Sequence, residues 1–183
     1  KGIGKIPKKV NKLSQVKTQK LLNDLPMYLK GIGRTLESMP GKKAIFVILD
    51  SDDTDCAELK KDLVEMYVKS GVTVDVYFCI AIEEMEAWLL GDEKAIEEAY
   101  PQAKMPLLRK YVQDSIVGTW EYLADVVYSG GVNALKKKAE SYYEIGLFKC
   151  ECAGNIGMYL NIHENKSPSF NYFINKLNDF CEV

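Results

Sequence analysis

The run Ala44-Ile45-Phe46-Val47-Ile48-Leu49 constrains the fold more than any other part of this chain. It is entered from Gly41-Lys42-Lys43 and left through Asp50, Asp52, Asp53 and Asp55. Six apolar residues are too few for a buried helix, and their lack of alternation argues against a half-exposed strand. The pattern is that of a central parallel strand covered by helices on both faces. Asp55, with Glu58 three residues on, forms a capping box, and Leu59, Leu63, Met66 and Tyr67 supply one apolar stripe. A helix is therefore predicted to Ser70, where Gly71 stops it. Val72 to Ile82 is rich in β-branched and aromatic residues and reads as a second strand, which completes a right-handed β-α-β unit.

Ligands of open α/β sheets gather at the carboxyl ends of the strands, which is where Asp50 and Asp52 fall. Two carboxylates at i and i+2, one fixed by the strand and one in the turn, can converge on a hard cation, Mg²⁺ or Mn²⁺, through oxygen ligands. The plainer reading is helix capping, which Asp55 satisfies by itself. Repulsion among four crowded acids calls for an added cation or nearby lysines. A second acidic cluster, Glu83-Glu84-Met85-Glu86, follows the second strand as the first follows its neighbour. Parallel pairing sets both clusters on one edge, where Glu86 would be a further metal ligand or a general base, with Trp88 packed beneath it. Acids favoured at a helix N-terminus would explain the same cluster without chemistry.

The remainder reads as largely helical. Val10, Leu13, Val16, Leu21, Leu22 and Leu25 recur at near-helical spacing among lysines, until Pro26 and the Gly31/Gly33 pair interrupt the pattern. Short helices are predicted over Glu84–Leu90 and Glu93–Tyr100, separated by Gly91-Asp92 and stopped by Pro101. Val117, Trp120, Leu123, Ala124 and Val127 form a further face closed by Gly130-Gly131, and Cys152, Ile156, Tyr159 and Leu160 mark another helix. Ser167-Pro168 pairs an N-cap with proline at the first helical position, opening a helix with Phe170, Phe173, Leu177 and Phe180 inward. One α/β domain over residues 1–183 is expected, with a small, largely parallel sheet flanked by helices, a basic helical segment at 1–35 and a helical extension at about 113–183.

Charge is divided unevenly. Residues 1–43 carry eleven Lys and Arg against two acids, and the rest carries 13 against 24. Lys1, Lys5, Lys8 and Lys9 are the candidates for attracting phosphate or a nucleic-acid backbone, although a solvated amphipathic helix paired with acids elsewhere explains the same excess. No apolar stretch approaches membrane-spanning length and no leader precedes a cleavage site, so a cytoplasmic protein with no membrane partner is expected. The chain opens on Lys1 rather than Met, as a fragment of something longer would. Five cysteines, odd in number and without C-x-x-C spacing, point to reduced thiols rather than disulfides or zinc. His163, the single histidine, has no identifiable Ser or Cys partner for a nucleophilic triad. Lys1-Gly2-Ile3-Gly4-Lys5 lacks P-loop spacing, and Ser167 and Ser169 could touch a phosphate, but Ser167 is already explained as a cap.

Four stretches carry a family resemblance: Val47 to Lys60, Ile82 to Asp92, Gly118 to Asp125 and Asn165 to Phe170. Together they resemble the Toprim-like proteins of domain-of-unknown-function family 4276. The E-x-E-A-W-L-L-G-D and S-P-S-F segments are its distinctive parts, whereas D-x-D is common. The resemblance implies a Toprim-like fold in which an upstream glutamate and a D-x-D pair, matched by Asp50 and Asp52, hold Mg²⁺ for phosphodiester chemistry. It also implies prokaryotic relatives found near ATPases and defence genes, with a nuclease role. A Toprim domain normally begins with a strand ending in glutamate, and no such strand precedes the basic segment. Either that strand lies upstream, or Glu86 serves in its place, or the site is inactive. The leading expectation is a Mg²⁺-dependent nuclease or phosphoryl-transfer protein, and the alternative is a non-catalytic metal-binding subunit beside an ATPase partner. Third, Asp50-Ser51-Asp52-Asp53-Thr54 also fits the D-x-D-x-T start of haloacid-dehalogenase-like phosphatases, with Asp50 as the nucleophile.

Overall fold

The structure is a computed structural model that describes residues 15–182, with side chains from Leu22 onward. Lys1, Lys5, Lys8 and Lys9 lie outside the described residues. In chain order the elements are α1 (Gln15–Glu37), β1 (Ala44–Asp50), α2 (Cys56–Ser70), β2 (Asp75–Ala81), α3 (Glu86–Leu90), α4 (Glu93–Ala99), α5 (Met105–Leu108), α6 (Thr119–Val127), α7 (Gly131–Lys138), α8 (Tyr142–Gly157) and α9 (Pro168–Cys181).

The predicted β-α-β unit forms. β1 and β2 pair in parallel, from Ala44 opposite Asp75 to Asp50 opposite Ala81. Asp55 caps α2 by accepting from the Ala57 and Glu58 amides at 2.9 and 3.0 Å. Gly71, with φ at 68°, ends the helix in the left-handed region that a side chain would resist. One face of the sheet presents Ile45, Leu49, Phe78 and Ile80 to Leu25 and Leu29 of α1 and to Leu59 and Leu63 of α2. Each leucine buried there contributes roughly 2 kcal/mol relative to exposure. The other face is covered only in part by α9: Phe46 stacks on Tyr77 at 5.0 Å and meets Phe173 and Phe180 edge-on.

Three expectations are corrected. Helix α1 runs through Pro26, Gly31 and Gly33 instead of ending there. Its apolar stripe continues from Leu22 and Leu25 to Leu29 and Leu36, and this burial outweighs the lost backbone hydrogen bond at Pro26. Gly33 is required by packing, because a Cβ there would meet a Val72 methyl at 2.8 Å. Strand β1 is not covered on both faces, since Ile48 is 43% exposed. The sheet has two strands among the described residues, so β1 lies at an edge although its composition suits a centre. Finally, Gly130-Gly131 not only closes α6 but opens α7, where the Val132 amide donates to Asp125 at 2.7 Å.

The C-terminal half is helical, as expected. Leu90, Ile96, Leu108, Leu123, Cys152 and Ile156 form a second core, while Trp120, Ala124, Leu135 and Ile145 form a smaller third. Helix α8 ends at Gly157, before Tyr159, which is exposed, and Leu177 on α9 is 36% exposed rather than inward. All five cysteines are free thiols, with Cys79 and Cys152 buried. Among the described residues no helix is long and apolar enough to cross a membrane.

Candidate functional site

The two strand ends are zipped together one residue past the sheet. The Ser51 amide donates to the Ala81 carbonyl, the Asp52 amide to the Glu83 carbonyl, and the Glu83 amide to the buried Ser51 hydroxyl at 2.7 Å. This ties the two acidic clusters to one edge, as parallel pairing predicts. Asp52 and Glu83 both adopt positive φ, 46° and 61°. Aspartate tolerates that region, whereas Glu83 is held there by a tight turn in which the Glu84 amide donates to the Ile82 carbonyl at 2.9 Å. Its carboxylate accepts from the backbone amides of Val117, Gly118 and Thr119, capping the N-terminus of α6. Glu83 is thereby assigned to structure.

Asp50, at the tip of β1, has a buried Oδ1 with no hydrogen-bond partner. Burial holds its carboxyl above the ordinary range; Lys149 opposes this, while Glu84 and Asp52 add to it, and the Met85 backbone amide offsets part. Glu86 is buried and also shifted upward by burial, against the attraction of Lys149. Lys149 reaches in from α8 and bridges Glu84 Oε1 at 3.0 Å and Glu86 Oε2 at 3.2 Å. Burial works against its charge, but Glu86 and Glu84 more than compensate, so it stays protonated above the ordinary lysine range. Glu84 Oε2, like Asp50 Oδ1, is buried without a hydrogen-bond partner.

Asp50, Asp52, Glu84, Glu86 and Lys149 thus form one electrostatic unit at the carboxyl end of the sheet. The sequence reading included Asp50, Asp52 and Glu86 but gave Glu84 no role and missed Lys149. A signal for Lys149 existed: it stands between Ile145, Cys152 and Ile156 at steps of four, three and four, a lysine on the buried stripe of α8. Among the described residues no three His, Cys, Asp or Glu side chains form a ready-made metal cage. The donor set is carboxylate oxygen with two unpartnered buried atoms. That set suits a hard ion such as Mg²⁺, which binds through one or two carboxylates and keeps several waters, better than a soft metal or a closed cage.

The remaining motif residues lock the framework. Asn165 donates from Nδ2 to the Trp88 carbonyl at 2.8 Å and accepts at Oδ1 from the Ser167 amide at 2.9 Å. Trp88 donates from Nε1 to Ser169 Oγ at 2.8 Å and stacks on Phe173. Ser167 caps α9 by accepting from the Phe170 amide, and its hydroxyl donates to Asp114, which also receives the Ser169 amide. Both serines are engaged in holding α9, and Trp88 packs against Phe170 and Phe173 rather than beneath Glu86. His163 is exposed in a turn closed by Asn161. An open depression lined by Glu37, Lys43, Thr73, Val74 and Asp75 lies at the opposite, amino end of the sheet.

The two motif stretches that interlock here, 82–92 and 165–170, are distant in sequence and adjacent in space. A family model described as domain of unknown function (DUF4276) matches residues 1–178. The chain belongs to the DUF4276 family. No curated protein and no solved structure matches it. In this DUF4276 chain, the lock of Trp88, Asn165 and Ser169 buttresses the acidic edge through α3, which carries both Glu86 and Trp88 in its first turn.

Proposed function

We propose that this DUF4276 protein is a Mg²⁺- or Mn²⁺-dependent phosphodiester hydrolase of Toprim type, acting on nucleic acid, in a prokaryotic defence setting. The observation that carries the reading is the buried, unpartnered Oδ1 of Asp50, raised in pKa among other acids at the carboxyl edge of a parallel sheet. A buried carboxylate oxygen without a donor costs about 1–3 kcal/mol, and a cation removes that cost. Asp50 and Asp52 would hold the ion. Glu86, and Glu84 beside it, complete the acidic wall and are oriented by Lys149. A bound divalent ion would supply charge stabilisation at a phosphoryl oxygen and a more acidic water. The chain's own part is to fix Asp50 through β1, to fix the Asp52 turn through the Ser51–Glu83 zipper, and to keep the acids partly dry.

The test is incubation of the purified chain with single- and double-stranded DNA and RNA in Mg²⁺ or Mn²⁺, beside Asp50→Asn. Metal-dependent cleavage lost in the variant supports the reading, and cleavage undiminished in a clean variant preparation refutes it. Activity on small phosphomonoesters, with beryllium fluoride trapped on Asp50, would instead move the assignment to a haloacid-dehalogenase-like phosphatase.

A second reading rests on α8, where Tyr142 and Tyr143 are 77% and 73% exposed, with Leu147, Met158 and Tyr159 also at the surface. Such a strip suits a non-catalytic, metal-stabilised subunit that docks on a protein partner such as an ATPase. Metal binding without cleavage, together with a stoichiometric complex lost on Tyr142→Ser/Tyr143→Ser, would favour it.

A further inference from the structure

Strand β1 has the composition of a strand with neighbours on both sides, yet among the described residues it pairs on one side only, with β2. We infer that its other edge is a self-docking surface, on which the β1 strands of two copies of this chain pair antiparallel across a two-fold axis to make one four-stranded sheet. The inference stands apart from the metal-dependent reading. Three observations carry it.

The first is the open backbone. The Ser51 amide turns toward β2, and successive peptide groups of a strand alternate sides, so the amides and carbonyls of Ala44, Phe46, Ile48 and Asp50 face away from β2. Among the described residues none of them has a backbone partner outside the β1–β2 ladder. Ile48, in the middle of this row, is 43% exposed, whereas Phe78 to Ala81 of β2 are buried. Bare edges recruit further strands, and proteins that keep them unpaired interrupt them with proline, lysine or a bulge. Ala44 to Leu49 carries none of these.

The second is charge. β1 is preceded by Lys42 and Lys43 and followed by Asp50, Asp52 and Asp53. Lys42 rests on the carbonyl and ring of Phe180 and Lys43 on the carbonyl of Glu37, so backbone oxygens rather than carboxylates receive both ammonium groups. Antiparallel pairing sets these lysines of each copy beside the acidic strand end of the other, while parallel pairing would set like charges together. Opposite charges across strands stabilise and like charges destabilise. One edge thus supplies both halves of the match, as an isologous contact between identical chains requires.

The third is register. Full overlap of the seven strand residues puts Val47 opposite its own counterpart on the two-fold axis. Phe46 then forms a hydrogen-bonded pair with the partner subunit's Ile48, and Ala44 with the partner subunit's Asp50. These are the residues whose peptide groups point outward, and a slip of one residue would oppose outward groups to inward ones. Side chains agree: Phe46, packed on Phe173 and Phe180, comes beside the partner subunit's Ile48 on the same face and covers its exposed surface.

The test is self-association of the full chain. Sedimentation velocity is expected to show a dimer in the micromolar range that weakens as salt is raised, and hydrogen exchange at high concentration should protect the Phe46 and Ile48 amides. Ile48→Lys, which adds a charge at an exposed position, and Ile48→Pro, which removes an amide that β2 does not use, should each weaken the dimer about tenfold or more. Lys42→Glu/Lys43→Glu should weaken it too. Facing residues of a non-hydrogen-bonded pair stand about 4.5 Å apart, within disulfide reach. Mild oxidation of Val47→Cys should therefore join position 47 of two copies, identified by peptide mass spectrometry, whereas Ile45→Cys should not join to itself. A monomer at every concentration overturns the inference, and protection of those amides in such a monomer would assign the edge to another segment of the same chain. A dimer that keeps its affinity in Ile48→Lys and gives no linkage at position 47 also overturns it, placing the contact on another surface. Should the variants fail to fold, the concentration dependence of wild-type exchange at Phe46 and Ile48 decides.

Discussion

Replacing Asp50 by Asn should make the metal-free protein more stable and the metal-loaded protein less so. Asn keeps the shape and an acceptor for the Met85 amide while removing a charge that burial disfavours. The sign follows from linkage. The folded pKa of Asp50 is raised above its ordinary 3.8, so its contribution to stability is fully present below that value and lost as pH rises through the folded pKa. Above the folded pKa the whole penalty is in force. An unpartnered buried polar group costs about 1–3 kcal/mol, and forfeited attraction to Lys149 returns part of it, so a net gain of about 1 kcal/mol is expected. For a chain of this size that gain raises the midpoint by about 2–4 °C. With Mg²⁺ at about a hundred times its dissociation constant the wild type should gain about 2.7 kcal/mol, and the variant nothing. Thermal melts with chelator and with Mg²⁺, at neutral pH and at acid pH, measure all of this. The order of the two proteins should reverse on adding metal, and their metal-free difference should vanish in acid, where Asp50 is protonated. An Asp50→Asn protein less stable than wild type without metal, or shifted equally by Mg²⁺, would refute the reasoning.

Asn165→Ala removes two buried hydrogen bonds and strands the Trp88 carbonyl and the Ser167 amide, so urea denaturation should show a loss of about 2–4 kcal/mol. Gly91→Ala places a Cβ 2.1 Å from Asn165 Oδ1, and a comparable loss is expected in the same assay, with tryptophan fluorescence reporting the loosened Trp88. Glu83→Ala deprives α6 of its cap and should cost about 1–2 kcal/mol, with hydrogen exchange rising first at residues 117–119. A thiol reagent followed by mass spectrometry should label the exposed Cys150 and Cys181 at once. Cys152, buried and with its thiol pushed up to about 11, should react only on unfolding.

Much of the sheet end was legible in the sequence because its determinants are local. A short apolar run followed by acids, an Asp55–Glu58 cap and a Gly71 stop define strand, turn and helix within a few residues of one another. Parallel pairing then obliges Asp50 and the cluster after Ala81 to share an edge, and the register bears this out. The N-cap at Ser167 was readable for the same reason. Pro26, Gly31 and Gly33 misled because local propensity is weaker than burial of Leu25, Leu29 and Leu36, and because the need for glycine at Gly33 comes from Val72, far along the chain. The roles of the acids were likewise beyond local reading. Glu83 caps a helix thirty-odd residues away, Glu84 and Glu86 are joined by a lysine from α8, and Asp50 and Glu84 are each left with a buried oxygen lacking a donor. Neighbours in sequence determined where the acids emerge. Which of them are consumed by amides and which await a cation was decided by the packing of α6 and α8, since a carboxylate's charge state depends on whatever the tertiary fold brings within a few ångströms.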